Sequence, residues 1–399
     1  MASKQEIPIG VLYNKVMIMK ITTNHCVACG ACVSICPKNC IELKTDSLGF
    51  YMPVVAQDVC IQCGRCHQVC PANHRPEGKP WEAGTYYAMW AQDPAMRNSG
   101  SSGGIFGMLA EQVLAEGGVV FGATYAPDFK SIHQTSTDHE PLDALKKSKY
   151  AESYTGSVFR DVKNALKNGR KVLYCGTSCQ IDGLKSYLNG DHPNLLTCDF
   201  LCHGVTAAGV FRKFAEDLEA KFGPITHLDF RSKSYGWKAY CTKVQFRSGK
   251  TYLRNRFRDP YLRIFFENRA LRTGCYSCTR LQNSCADLTL GDFWHVSEVP
   301  DIPDTNEGIS LVGVHTEAGK LALSRITENN SCYHHQLEQS QYRYAYTRSC
   351  RLPEDRQIAL QKILNTGNLL DTPIPPAIKL KGLIYQIRAV LQTPKKPRK

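Results

Sequence analysis

The stretch Cys26-x2-Cys29-x2-Cys32-x3-Cys36-Pro37 returns as Cys60-x2-Cys63-x2-Cys66-x3-Cys70-Pro71, offset by 34 residues. Three thiols close together in sequence wrap one iron–sulfur cube, and the turn at proline carries the fourth to another cube. The doubled run therefore reads as a bacterial ferredoxin-type unit with two [4Fe–4S] clusters. Cys26, Cys29, Cys32 and Cys70 are expected on one cluster, and Cys60, Cys63, Cys66 and Cys36 on the other. A zinc site draws its ligands in pairs rather than from a tight run of four. Disulfides require an oxidising compartment, and nothing in the chain suggests one.

Working outward, residues 16–75 are expected to form the ferredoxin-type domain. Val16–Met19 reads as a short strand, and residues 49–53 as a turn and strand between the runs. Cys40 falls outside both runs and reads as a small buried residue. The Pro, Gly and charge of His74-Arg75-Pro76-Glu77-Gly78-Lys79-Pro80 mark a linker over residues 76–84.

Thr85–Trp90 alternates as a strand. Residues 97–104 then lead into a helical pattern on Ile105, Phe106, Leu109, Val113 and Leu114, closed by Gly117-Gly118. A buried strand follows at residues 119–123. A Ser/Gly loop that feeds a helix N-terminus offers free N–H groups and the positive end of the helix dipole. No acidic residue lies between Pro94 and Ala110. Ser101, Ser102, Gly103 and Gly104 are therefore candidates to hold a phosphate or pyrophosphate. The plainer reading is that Ser102 caps the helix while the glycines allow close packing. Residues 127–155, with Lys146, Lys147 and Lys149 ahead of Tyr150, read as a solvated polar surface, a second phosphate contact being the sharper alternative.

Helix 158–166, strand 171–175, helix 181–188, strand 195–201 and helix 207–222 then alternate, which implies a parallel sheet. Cys179 and Cys202 sit just past two of these strands, where ligands gather in open α/β sheets. A strand (225–231), a hairpin (240–257) and an apolar helical turn (261–266) precede Cys275-x2-Cys278. These last two thiols make half of a metal site, and Cys179 with Cys202 suits the other half. The set is sound for [4Fe–4S] or for zinc, and isolated buried cysteines are the remaining alternative.

The chain has 399 residues and 19 cysteines, room for two or three domains. No secretory signal and no apolar run of about 18 residues is expected from the sequence, so a reducing cytoplasmic location fits. The net charge is +13, and residues 379–399 hold seven Lys or Arg with no Asp or Glu. No nucleic-acid motif accompanies the charge, so no nucleic-acid partner is expected. The basic balance suits an acidic redox partner or an anionic membrane. Residues 378–391 form an amphipathic, basic helix, for which peripheral membrane contact and packing on the domain are both consistent readings.

Ser101-Ser102-Gly103-Gly104, Gly176-Thr177-Ser178-Cys179-Gln180, Cys202-His203-Gly204, Cys275-x2-Cys278 and Gly291-Asp292-Phe293-Trp294 together resemble the coenzyme F420 hydrogenase/dehydrogenase beta-subunit family, whose relatives include plant 7-hydroxymethyl chlorophyll a reductase. The resemblance spans about residues 20–300. It implies an iron–sulfur flavoprotein in which Cys179, Cys202, Cys275 and Cys278 ligate a third [4Fe–4S] cluster. It also implies FAD near Ser101–Gly104 and Lys149-Tyr150. The expected fold class is α+β: the small ferredoxin-like 2[4Fe–4S] domain, then an α/β flavin- and cluster-binding domain with a partly parallel sheet. Residues 85–170 and 171–345 would be its N- and C-terminal parts, and 346–399 a helical extension with a basic tail. Ser178 stands where proline is common in the family and His295 where glycine is. From about residue 300 no counterpart is expected, so deazaflavin use does not carry over.

The implied function is that of an oxidoreductase passing electrons from a low-potential donor such as ferredoxin, through the clusters, to FAD and an organic acceptor. The alternative is an electron-transfer subunit serving a partner enzyme. His203 suits proton donation or simple packing, and no catalytic residue is assigned.

Overall fold

The computed structural model describes residues 25–392 other than 304, 347–349 and 366. The strand expected at Val16–Met19 and the terminal basic residues lie outside the described residues.

The ferredoxin unit comprises α1 (Ala31–Ile35), β1 (Ile41–Thr45), β2 (Tyr51–Val55) and α2 (Arg65–Gln68). β1 and β2 form a hairpin with Ile41 opposite Val55. Asp46 Oδ1 accepts from the N–H groups of Leu48 and Phe50 and pins its turn. The duplication in sequence reappears in the backbone. Ala28 and Gln62 have φ of 51° and 54°, and Gly30 and Gly64 have φ of 81° and 72°. Each pair is 34 residues apart. Left-handed residues between right-handed ones turn successive N–H groups toward one point, the concave arrangement that suits an iron–sulfur cage.

The larger part contains β3 (Thr85–Ala91), α3 (Ile105–Ala115), β4 (Val119–Tyr125), β5 (Ile132–Ser136), α4 (Val158–Lys167), β6 (Val172–Cys175), α5 (Ser178–Leu188), β7 (Leu195–Phe200) and α6 (Ala208–Phe222). It continues with β8 (Ile225–Ser232), β9 (Cys241–Phe246), β10 (Thr251–Asn255), β11 (Leu288–Asp292), β12 (Ser310–Val314), α7 (Glu317–Thr327), β13 (Cys332–Gln336) and α8 (Pro376–Gln392). Among the described residues an eight-stranded sheet runs β13-β3-β12-β11-β7-β6-β4-β5. β4, β6, β7 and β11 are mutually parallel, as the alternating pattern requires, and the flanking strands are antiparallel. β8, β9 and β10 form a separate antiparallel sheet. The α+β class with a partly parallel sheet is the observed one.

Helix positions follow their apolar faces. α4 buries Val158, Phe159, Val162, Ala165 and Leu166; full burial of a side chain like Phe159 is worth about 1.5–3 kcal/mol. α5 opens on a capping box between Thr177 and Gln180, which fixes the first turn that carries Cys179. The ferredoxin unit is packed into this scaffold. Cys29 and Ala31 share a core with Phe159, Tyr174, Ile181 and Leu184. Arg160, on α4, donates to the carbonyls of Ser34 and Cys36, each at 2.6 Å, and to that of Val33 at 3.1 Å.

β5 lies within residues 127–155, which the sequence suggested were a solvated surface. Its inward residues include Gln134 and Ser136, so burial there is not marked by apolar side chains. α8 packs through Gly382, whose carbonyl accepts from Asn255 at 2.9 Å. It leaves Leu380, Leu383, Ile384 and Ile387 between 42% and 58% exposed. No helix among the described residues is long and apolar enough to cross a membrane.

Candidate functional site

The twelve thiols singled out in sequence fall into three neighbourhoods. Burial drives the Cys32 thiol up to about 12, and Cys26 and Cys70 push it the same way. Cys29 is raised well above the ordinary range by burial, with Cys32, Cys26 and Cys70 adding to it. Cys66 is raised by burial, then by Cys63 and Cys36. The fourth thiol of each run thus stands with the other run's first three. Cys40 is buried, and it lies against this second group: its sulfur is 3.4 Å from that of Cys36, with Cys60 and Cys66 beside it.

Cys179, Cys202, Cys275 and Cys278 also converge. Cys202 is raised far above its ordinary value by burial, and Cys275, Cys179 and Cys278 reinforce that. Burial takes Cys275 up to about 12, again with Cys179 and Cys278 contributing. Cys179, Cys202 and Cys275, all raised by burial, are stable as thiolates only beside a strong cationic centre, and with the exposed Cys278 beside them the donor set fits an iron–sulfur cube. Among the described residues no three His, Cys, Asp or Glu side chains gather around a single-ion position.

The first and third neighbourhoods adjoin. Arg272, three residues before Cys275, pairs with buried Glu152 at 2.5 Å. Arg272 also donates to the Cys26 carbonyl at 2.9 Å and the Tyr51 carbonyl at 2.6 Å. The Tyr51 N–H in turn donates to Glu152 at 2.8 Å. Burial raises the Glu152 carboxyl, while Arg272 draws it back. The phenol of Tyr174, raised by burial, feels the sulfurs of both Cys29 and Cys179.

Beside the third neighbourhood opens a cavity of about 400 Å³, in the range that holds small molecules and cofactors. Ser101, Ser102 and Gly104 line it, as do Lys149, Tyr150, Cys179 and Cys202. Ser102 does not cap α3. The cap residue is Gly104 with φ of 87° and no side-chain bond, and the Ser102 hydroxyl lies 2.8 Å from that of Ser310. A Cβ at Gly104 would stand 2.7 Å from the Met96 carbonyl oxygen, so the loop needs glycine there. Gly103 sits behind the wall, its N–H donating to Ser310 Oγ at 2.9 Å. Ser101 Oγ is 3.0 Å from Ser148 Oγ.

The 146–150 segment is therefore cavity wall rather than solvated surface. Burial lowers the Lys149 ammonium to about 7, and it donates to the Lys146 carbonyl at 2.9 Å. Gln134 also lines the cavity, and its buried Oε1 has no hydrogen-bond partner among the described residues. An unpartnered buried acceptor, a cationic wall and a helix N-terminus together fit a cofactor with both anionic and hydrogen-bond-donor groups.

Several cavity residues carried no role in the sequence reading. Arg231, 3% exposed, is held in a fork by Asp292 at 2.9 and 2.6 Å and donates to the Tyr150 hydroxyl at 3.0 Å. Asp292 also accepts from the Trp237 indole at 2.8 Å, and Trp237 stacks on Trp294 with centroids 4.5 Å apart. Asp292 and Trp294 lay in a quoted motif; Arg231, in an ordinary polar strand end, gave no signal. His203 lines the cavity with its Nε2 2.7 Å from Asn268 Oδ1.

Three family profiles match the chain. A 4Fe-4S dicluster domain covers residues 25–74. The coenzyme F420 hydrogenase/dehydrogenase beta subunit matches through its N-terminal part over residues 86–160 and its C-terminal part over 169–340. The match therefore runs past residue 300, beyond the last motif that carried the resemblance. A search of curated proteins found no match. Among solved structures, a chain from the F420-reducing [NiFe] hydrogenase complex of Methanosarcina barkeri is similar, at 18% identity, over 72% of this chain and 90% of that chain, with a TM-score of 0.45.

Proposed function

Because the chain belongs to the coenzyme F420 hydrogenase/dehydrogenase beta-subunit family and carries a 4Fe-4S dicluster domain, it is an iron–sulfur electron-transfer protein of that type, and we propose that it is a flavin-dependent oxidoreductase. Its donor is a small low-potential carrier such as ferredoxin, and its acceptor is an organic molecule reduced at FAD. One observation carries the reading: Cys179 and Cys202 line the same cavity as the Ser/Gly loop and Lys149.

In this reading the crossed thiol sets hold two [4Fe–4S] clusters, and Cys179, Cys202, Cys275 and Cys278 hold a third. Clusters supply one-electron carriers, and a flavin joins single electrons to two-electron chemistry. The protein contributes placement. Cys63 is exposed, which suits the second group to meet a carrier. Cys29 is buried against α5, and Arg272 ties the backbone of Cys26 to the segment that leads into Cys275. Ser101, Ser102, Gly104 and Lys149 would hold the pyrophosphate, with the α3 N–H groups in support, while Gly103, expected among them, instead ties the loop to Ser310. Tyr150 fixes Arg231 beside it.

A second reading is a subunit that hands electrons to a partner enzyme. The exposed apolar residues of α8 favour it, since a covered face there would bury Leu380, Leu383, Ile384 and Ile387. Turnover of an organic acceptor by the isolated chain would separate the two.

The test is anaerobic purification followed by iron, sulfide and flavin content per chain. The expected result is about twelve irons and one FAD. About eight irons with no flavin would overturn the proposal and leave only the dicluster unit.

A further inference from the structure

Asp199, Thr289 and His315 form a hydrogen-bonded chain across the main sheet. Thr289 in β11 stands directly opposite Asp199 in β7, so their side chains share a face. Thr289 Oγ1 is 2.5 Å from Asp199 Oδ1 and 2.8 Å from His315 Nε2. The same row continues through Gly313 in β12 to Tyr86 in β3. Gly313 leaves room for the Tyr86 ring and for His315, since a Cβ there would lie 2.6 Å from Tyr86 Cε1 and 3.3 Å from His315 Nε2. Ser284 donates to the second Asp199 oxygen at 2.9 Å. Asp199, Thr289 and His315 are 1%, 3% and 7% exposed.

The two ends reach different spaces. Asp199 lines the main cavity. His315 lines a second cavity of about 450 Å³, walled also by Lys79, Thr316, Glu317, Lys320 and His334. His315 Nδ1 is buried without a hydrogen-bond partner among the described residues, while Nε2 is engaged. An imidazole and a hydroxyl each accept a proton on one side and release one on the other. A proton taken at Nδ1 is matched by one leaving Nε2 for Thr289, and by one leaving the Thr289 hydroxyl for Asp199.

We propose that His315, Thr289 and Asp199 are a proton path from the second cavity to the main cavity. One proton enters at His315 and one arrives at Asp199, and no electron moves. The proposal rests on the reading of the main cavity as a redox cofactor site, where reduction calls for protons. The surroundings suit the task. Burial raises the Asp199 carboxyl to about 6; Thr289, Ser178 and Ser284 pull it back, and Asp182 pushes it up. Tyr86 and Tyr346 feel its charge. Burial lowers His315 to about 4, with Asp287 opposing and Lys79 assisting, so at neutral pH the imidazole is uncharged and able to accept.

Thr289→Val removes the hydroxyl and keeps the shape; Thr289→Ser keeps the hydroxyl. The full chain is purified anaerobically, and flavin content and stopped-flow reduction by dithionite are followed. Thr289→Val is expected to keep its flavin and its cluster-reduction rate while formation of the protonated, fully reduced flavin slows about tenfold or more; Thr289→Ser recovers it. A flavin-loaded Thr289→Val chain with unchanged rates overturns the path. A wild-type chain without flavin overturns the cavity reading instead, and the path is then decided on two further readouts. The infrared band of the Asp199 carboxyl, assigned with Asp199→Asn, should titrate at higher pH in Thr289→Val, since a donor is lost. The ¹⁵N spectrum of His315 should show a changed tautomer. If both the Asp199 titration and the His315 tautomer stay as in the wild type, the path is overturned.

Discussion

The sulfur of Cys29 rests against Gly183, so that a Cβ at residue 183 would lie 2.7 Å from it. Gly183 is four residues along α5 from Cys179, on the same helix face one turn later. The missing side chain therefore sets how closely the ferredoxin unit approaches the helix that opens on the third thiol group. Gly183→Ala forces that contact apart, with an overpacking cost of about 1–3 kcal/mol. Iron content is expected to hold while electron equilibration between the N-terminal and core sites slows, followed by freeze-quench EPR. Wild-type rates in a stable variant would show that this contact does not set the spacing.

The crossed ligand sets make a prediction that uncrossed ones do not. Cys29→Ser and Cys70→Ser, 41 positions apart in the chain, should each lose about four of about twelve irons and leave the same residual EPR spectrum. Cys60→Ser should leave the complementary spectrum. If Cys70→Ser instead matches Cys60→Ser, each run holds its own cluster.

The doubled run was legible because its ligands are local: fixed spacing brings three thiols together whatever the rest of the fold does. The third set was not, because Cys179, Cys202 and Cys275 meet only after β6, β7 and the 273–278 segment have packed. The Cys-x2-Cys pair and the strand-end positions of Cys179 and Cys202 suggested two halves of one site, isolated buried cysteines remained the alternative, and the resemblance was needed to join them. The polar walls were harder still. Gln134 and Ser136 are buried on β5, and Arg231 is buried at the end of β8, so no apolar period marks either. β12, Ser310–Val314, is buried at every position, the continuous pattern of a central strand. It was not singled out because the last recognised motif ends at Trp294, whereas the family match extends to residue 340.

Asp292 is the counterion of a guanidinium that solvent scarcely reaches. Besides the fork to Asp292, Arg231 donates to two neutral oxygens, the Tyr150 hydroxyl and the Ser101 carbonyl at 2.9 Å. Asp292→Asn keeps the shape and removes the charge, leaving a buried cation uncompensated at a cost of about 3–5 kcal/mol. The thermal midpoint should fall clearly, and retained flavin should fall with it because Arg231 anchors Tyr150 and Ser101. An unchanged midpoint would mean that another group neutralises Arg231.

If the cavity holds the proposed FAD, Lys149 makes its binding depend on pH. Burial lowers its ammonium to about 7 before any anion is present. An anion beside it favours the charged form, so the pKa rises on binding. Between those two values binding takes up a proton, and affinity falls as pH rises, by up to about tenfold per pH unit. FAD should therefore bind most tightly below about pH 7 and progressively more weakly above it. Titration calorimetry at pH 8, in buffers of different ionisation enthalpy, should report uptake of about one proton. Lys149→Met should abolish both the uptake and the slope while leaving weaker binding through the α3 N-terminus. Binding with no proton uptake in the wild-type chain would place the flavin phosphates away from Lys149.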